Sequence, residues 1–227
     1  MALAANALTT VARLSRELRI TAPSSGDDLA QMEDLISEVS AAVESYCGRS
    51  FGRATTTDKL PGYGTPILKL GRYPLVTIGA VLLDGVAVPQ EAWATTPEPD
   101  DAAAGLLVNI IATWAWTADV TSSAAPEQHP GRERKAYSVT YTAGYVLPKD
   151  ASPPTTPRTL PYDLERAVLL TCVSEYRSRG RNLSIASESL LSASVSYVQP
   201  GATDKGAESG IIPDAAAIIL DRYKRWA

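Results

Sequence analysis

The residues that could carry covalent chemistry are few: two cysteines, Cys47 and Cys172, and one histidine, His129. The string Gly48-Arg49-Ser50-Phe51-Gly52 matches the Gly-x-Ser-x-Gly pattern that exposes a serine nucleophile on a sharp turn. That chemistry needs a strand before the serine and a helix after it, so that the hydroxyl stands clear and a base can reach it. Here helical periodicity precedes Ser50 and a threonine-rich extended segment follows. The base would have to be His129, which lies between Gln128 and Pro130 in a polar stretch with nothing to orient an imidazole. A hydrolase reading, in which Ser50→Ala removes an activity, therefore has the motif without its context.

Gly62-Tyr63-Gly64 lacks the third glycine and the following helix of a dinucleotide site, and it lacks the Gly-Lys-Ser/Thr of a phosphate loop, so it reads as a turn. Each cysteine falls inside a helix-like pattern, far from a second Cys or a His at metal-ligand spacing, and is expected to be reduced and packed. No catalytic, cofactor-binding or metal-ligating residue is expected, and no cofactor.

The chain that must hold these groups has 227 residues, 45% hydrophobic and 20% charged, enough to bury a core unaided. Its formal charge of -4 argues against wrapping nucleic acid, which requires clustered cations that release counterions from phosphates. Two basic clusters, Arg132, Arg134 and Lys135 and then Arg177, Arg179 and Arg181, read as a solvated loop and a helix C-terminus. Arg13, Arg16, Glu17 and Arg19 follow the first weak apolar stretch too closely for a signal peptide. The longest apolar run, Gly105 to Trp116, is interrupted by Asn109 and too short to span a bilayer. No membrane contact is expected, and a soluble cytoplasmic protein is the default.

An opening helix capped by Thr9 or Thr10 puts Val11, Leu14 and Leu18 on one stripe. A long second helix follows Asp27 and Asp28, with Met32, Leu35, Ile36, Val39, Val43 and Tyr46 at helical steps and Gly48 as its stop. From about Thr55 to Pro148 the period becomes that of strands. Ile67 to Leu70 and Leu75 to Leu83 read as strands, with Asp84-Gly85 as a hairpin turn into Val86 to Val88. Leu106, Val108, Ile110, Ala112, Trp114 and Trp116 are expected on one face of a further strand. Tyr137, Val139, Tyr141, Ala143 and Tyr145 alternate with small polar residues, a half-buried pattern. Ala94 to Ala104 and Thr117 to Lys135 read as polar surface loops.

A proline-rich passage then returns the chain to a helix that opens near Pro161 and carries Leu164, Ala167, Val168, Cys172 and Tyr176. Leu191, Ala193, Val195 and Tyr197 alternate with Ser192, Ser194 and Ser196 and read as an isolated strand. A final helix begins near Pro213 and Asp214. The fold class expected is α+β: a bundle of about four helices with a β-rich insertion and a strand-like arm before the C-terminal helix. The organisation expected is a helical core over 1–58 and 158–227, a β-rich insertion over 59–147 and a linker over 148–157.

The order of these pieces resembles the head-tail connector (adaptor, or head-completion) family of long-tailed bacteriophages and gene-transfer particles. Four stretches carry the resemblance. They are the opening helix pair ending in Tyr46-Cys47-Gly48-Arg49-Ser50-Phe51; Tyr73 to Gly85 with its strand and Asp-Gly turn; Val139 to Tyr145 followed by Leu160 to Tyr176; and Ser187 to Tyr197 with the closing helix. The resemblance implies a non-enzymatic virion neck protein assembled in the host bacterial cytoplasm. It would form a ring with copies of itself, commonly a dodecamer, between the portal protein and the stopper or tail-completion protein. Double-stranded DNA would pass non-specifically through the channel, and the major capsid protein is a further candidate neighbour.

A strand without a nearby partner in sequence leaves its backbone groups unpaired, so Leu191, Ala193, Val195 and Tyr197 are expected to form an inter-subunit arm. Ile218, Ile219, Arg222, Tyr223, Lys224, Arg225 and Trp226 combine cations with aromatic anchors and are expected to dock on the portal. The alternatives are that the arm joins its own insertion and that the last helix packs on its own bundle. A different class, a β-sandwich-type ligand-binding module of a virion or bacterial protein, predicts that residues 59–147 fold alone and bind a ligand.

Overall fold

A computed structural model describes residues 3–117, 136–178, 187–190, 193–196 and 211–225. In chain order the elements are α1 (Val11–Leu18), α2 (Asp27–Cys47), β1 (Ala54–Leu60), β2 (Ile67–Lys69), β3 (Leu75–Leu83), β4 (Val86–Ala87), α3 (Pro99–Ala104), β5 (Leu106–Val108), β6 (Tyr137–Ala143), α4 (Tyr162–Ser178), β7 (Ser187–Leu190), β8 (Ala193–Ser196) and α5 (Asp214–Leu220). The fold is α+β. It divides into two compact units, Met1–Ser50 with Val146–Ala227, and Phe51–Tyr145. Residues 58 and 59, between which the boundary is expected, both lie in β1.

In the helical unit, Thr10 caps α1 by accepting the Arg13 N–H, which satisfies one of the orphan donors of the first turn. The neighbouring Thr9 is instead fully buried. Helix α2 buries Met32, Leu35, Ile36, Val39 and Val43 at the expected spacing, and Ser40 on the same face accepts the Leu8 N–H at 3.0 Å. Gly48 ends it in the left-handed conformation (φ 63), returning its N–H to the last turn. Helix α4 buries Leu164, Ala167, Val168, Leu169 and Cys172.

The other unit is built on a four-stranded antiparallel sheet in the order β1-β6-β3-β4. Central β6 buries Tyr137, Val139, Tyr141 and Ala143 on one side. Against that side lie Leu68 of β2 and Leu107 of β5, which form a separate two-stranded sheet, together with Trp93 and Trp114. Asp84 and Gly85 both take positive φ (49 and 85) in the β3–β4 turn, the backbone that an Asp-Gly hairpin supplies at least steric cost.

Three expectations need correction. The apolar run from Leu106 to Trp116 is not one strand. It is extended only over β5, and at Asn109 the side chain accepts the N–H groups of Ile111 (3.2 Å) and Ala112 (2.9 Å), an Asx turn that competes with the ladder. The buried positions are accordingly Leu107, Asn109 and Trp114, while Ile110 and Trp116 are exposed. The segment Ala94 to Ala104 is not all loop, since α3 starts with Pro99 in its first turn, carries Asp100 and Asp101, and ends at a left-handed Gly105. The isolated strand before the last helix is a hairpin: β7 and β8 pair antiparallel with Ser187 opposite Ser196 and Leu190 opposite Ala193.

Candidate functional site

Ser50 follows the C-terminus of α2 and precedes β1, so the strand-serine-helix geometry of a nucleophile elbow is not formed. Its neighbour Phe51 is fully buried, and His129 lies outside the described residues. In the Gly62-Tyr63-Gly64 turn, Gly62 is required by packing, because a Cβ there would collide with the Ala115 carbonyl. Cys47 and Cys172 are free and buried. Burial pushes the Cys47 thiol up to about 11 and the Cys172 thiol up to about 12, so both are neutral at physiological pH and poor nucleophiles. Among the described residues no cluster of three or more His, Cys, Asp or Glu could hold a metal ion, and no helix is long and apolar enough to cross a membrane.

The residues expected to dock and to form an arm lie in and around α5 and β8. Helix α5 turns Ala216 and Leu220, both fully buried, toward its own bundle, and Ile212 is buried just before it. The expected docking residues then divide. Tyr223 donates its hydroxyl to Asp163 Oδ1 at 2.6 Å, tying the chain end to the first turn of α4. Lys224 Nζ lies 2.9 Å from Asp221 and 4.1 Å from the centroid of the Tyr46 ring, while the Tyr46 hydroxyl donates to the same Asp221 oxygen at 2.8 Å. The Lys224 and Tyr46 hydrogen bonds hold the Asp221 carboxyl below its ordinary value. The Arg225 N–H donates to the Cys47 carbonyl at 2.8 Å, satisfying an acceptor that α2 leaves at its end. Tyr223, Lys224 and the Arg225 backbone are thus engaged by the bundle. Ile218, 67% exposed, and Arg222 face outward, Ile219 is half-buried, and Trp226 lies outside the described residues.

Of the expected arm, Ala193 and Val195 lie in β8, while Leu191 and Tyr197 lie outside the described residues. The segment does have a local partner, because β7 pairs with β8. What persists is that β7 and β8 form a sheet of two strands and no third described strand joins them.

Sequence reasoning missed one buried charge network. Glu165, 2% exposed, accepts from the Thr9 hydroxyl at 3.0 Å and from the Arg158 guanidinium. Arg158 also donates to the Leu160 carbonyl at 3.1 Å and stacks over the Tyr162 ring at 4.1 Å. The segment before α1, the proline-rich passage and the start of α4 are pinned at one carboxylate. Glu165 in a first turn is ordinary dipole complementation by sequence, and nothing in its spacing announces burial.

No protein-family model matches the chain, and no curated protein matches its sequence. Solved structures do match its fold. One chain of "Virion of native gene transfer agent (GTA) particle" aligns with a TM-score of 0.54 at 17% identity, covering 100% of this chain and 94% of that one. A chain of "Neck of empty GTA particle computed with C6 symmetry" gives 0.53 at 18% identity over 100% and 94%. A chain of "Neck of native GTA particle computed with C12 symmetry" gives 0.51 at 17% identity over 100% and 93%. The chain therefore shares, along its whole length, the fold of chains found in gene-transfer-agent virions and necks.

Proposed function

We propose that this chain is a structural adaptor in the neck of a tailed-phage-like particle, assembled in the host cytoplasm. It forms a ring that docks on the portal and joins the DNA-filled head to the stopper or tail, with double-stranded DNA passing through its channel. The observation that carries this reading is the whole-length likeness to neck chains, one of them solved with C12 symmetry, which favours a dodecamer. A fold alone does not fix a function, so the reading also leans on surfaces of this chain. Ile218 stands outward on α5, whose other side is anchored by Ala216 and Leu220, and Arg222 stands outward in the 3-10 turn that follows, the arrangement of a docking segment held in place by its own bundle.

Truncation from Pro213 would remove the buried Ala216 and Leu220 from the bundle and confound docking with unfolding. The better test replaces Ile218 and Arg222 together by Asp and measures co-sedimentation with purified portal rings. Loss of binding with an unchanged melting temperature is expected; retained binding would remove α5 from the portal interface.

A further inference from the structure

The longest unclaimed stretch of backbone among the described residues is the outer side of β1. This strand ends the sheet order β1-β6-β3-β4, and it pairs with β6 in unbroken register from Ala54 opposite Ala143 to Leu60 opposite Tyr137. Neighbouring residues of a strand direct their N–H and C=O groups to opposite sides, so roughly half of its 7 residues offer donors and acceptors outward. The opposite side of the sheet is protected. Register shifts interrupt β3 between Leu75 and Thr77 and between Ile78 and Ala80, and the N–H groups of Ile78 and Val88 bond Thr95 and Val81 across that edge. Strand β1 has no proline, no glycine and no register shift; its charges lie at one end, where Lys59 is exposed and Asp58 accepts from Tyr141 and Gly71, so Ala54 to Thr57 is the stretch without a device that blunts an exposed edge.

The two faces of β1 specify what a further strand must look like. On one, Thr55 Oγ1 lies 2.9 Å from Thr142 Oγ1 and Thr57 Oγ1 lies 2.8 Å from Thr140 Oγ1, a ladder of hydroxyl pairs. On the other, Thr56, Asp58 and Leu60 stand opposite Tyr141, Val139 and Tyr137 of the core. Beside Ala54 to Thr57, a strand that alternates small hydroxyl residues with small apolar ones continues the hydroxyl ladder on one face and adds no charge on the other. Ala193-Ser194-Val195-Ser196, the whole of β8, has that alternation and no charge, whereas β7 carries Glu188, a residue suited to a solvated edge. A two-stranded ribbon is marginal in water by itself, and β7–β8 gains no third described strand from its own chain.

Resting on the adaptor reading, we propose that the β7–β8 hairpin of one copy adds through β8 to the β1 edge of the next copy, merging the two-stranded and four-stranded sheets. Donor and acceptor are different surfaces, so the contact is head-to-tail and propagates around a ring.

The test mixes two full-length populations under mild oxidation, one carrying Thr57→Cys and the other Ser194→Cys, with Thr55→Cys and Ser196→Cys added to sample the register. Directly opposed residues bring Cβ atoms close enough for a disulfide. Buried Cys47 and Cys172 stay out of the reaction. The expected result is a disulfide-linked dimer that forms only when both populations are present. A second arm uses Thr56→Pro and Thr57→Pro: one of these adjacent residues points its N–H outward, and that variant should keep the wild-type melting temperature while losing the ring. Wild-type rings, with no cross-link in any mixture and normal assembly of the folded proline variant, would overturn the proposal and leave the adaptor reading standing. Cross-linked pairs without rings, alone or on the portal, would uphold this contact and overturn the ring. Neither rings nor cross-links would overturn both.

Discussion

Two positions on α5, two residues apart, should separate packing from docking. Leu220 is fully buried between α5 and the bundle, so Leu220→Ala removes its apolar contacts and leaves a cavity. Truncations of this kind cost about 2–5 kcal/mol. Ile218 is 67% exposed, and Ile218→Asp should change stability by no more than about 0.5 kcal/mol. Complete burial of an isoleucine is worth about 1.5–3 kcal/mol, so covering the exposed part at a portal surface contributes about 1–2 kcal/mol per subunit. Repeated around a ring this becomes a large avidity effect, and a buried, unpaired carboxylate adds a further penalty. Urea titration followed by tryptophan fluorescence reads the first effect, and gradient co-sedimentation with portal rings reads the second. The expected pattern is a destabilised Leu220→Ala that still binds at low temperature and a stable Ile218→Asp that does not. If Ile218→Asp melts like Leu220→Ala, the outward assignment of α5 is wrong; if it is stable and binds the portal normally, α5 is not the docking element.

Arg158→Met should cost about 3–5 kcal/mol in urea titration, because it leaves the Glu165 carboxylate buried with only the Thr9 hydroxyl, and Arg158→Met with Glu165→Met should recover most of that loss. An Arg158→Met cost under about 1 kcal/mol would show that the pair is not desolvated. The Asp221 carboxyl is held low in the folded state, so the stability it contributes is present above the ordinary carboxylate value and is lost as pH falls through the folded value. The protection of residues 214–225 against amide exchange, taken relative to the intrinsic rate at each pH, should therefore fall on acidification in wild type more than in Asp221→Asn, and identical profiles would refute the role of this contact. Cys47 and Cys172, with thiols pushed up to about 11 and about 12, should react with an aromatic disulfide at pH ~8 only as fast as the protein opens, and rapid modification of the native state would contradict their burial.

Periodic elements were legible where one periodicity governs burial. The 3- and 4-residue steps from Met32 to Val43 and the strict alternation from Tyr137 to Ala143 each reappear in which residues are buried. Legibility failed where a single polar side chain redirects the backbone. Asn109 sits in an apolar run that reads as a strand by composition, and its carboxamide ends the strand by claiming two N–H groups. Helix α3 was missed despite Pro99 at its start and Gly105 at its end, since 6 residues are too few for a periodic signal.

The candidate site divided along the same line. Aromatic and cationic residues at a chain end signal an interface, but not whose: Tyr223 and Lys224 spend their polar groups on Asp163 and Asp221 of the same chain. The outer side of β1 carried no warning, because threonines at alternate positions look alike on a central and an edge strand, and only the pairing order tells them apart.

The central claim, that the working unit is an assembly on a portal, is tested most directly by native mass spectrometry of the full chain with and without portal rings. The account predicts ring-sized species, either free or only when portal is present, with twelve copies favoured by the C12 neck. A protein that stays strictly monomeric and ignores the portal would contradict it and return the ligand-binding module as the leading reading.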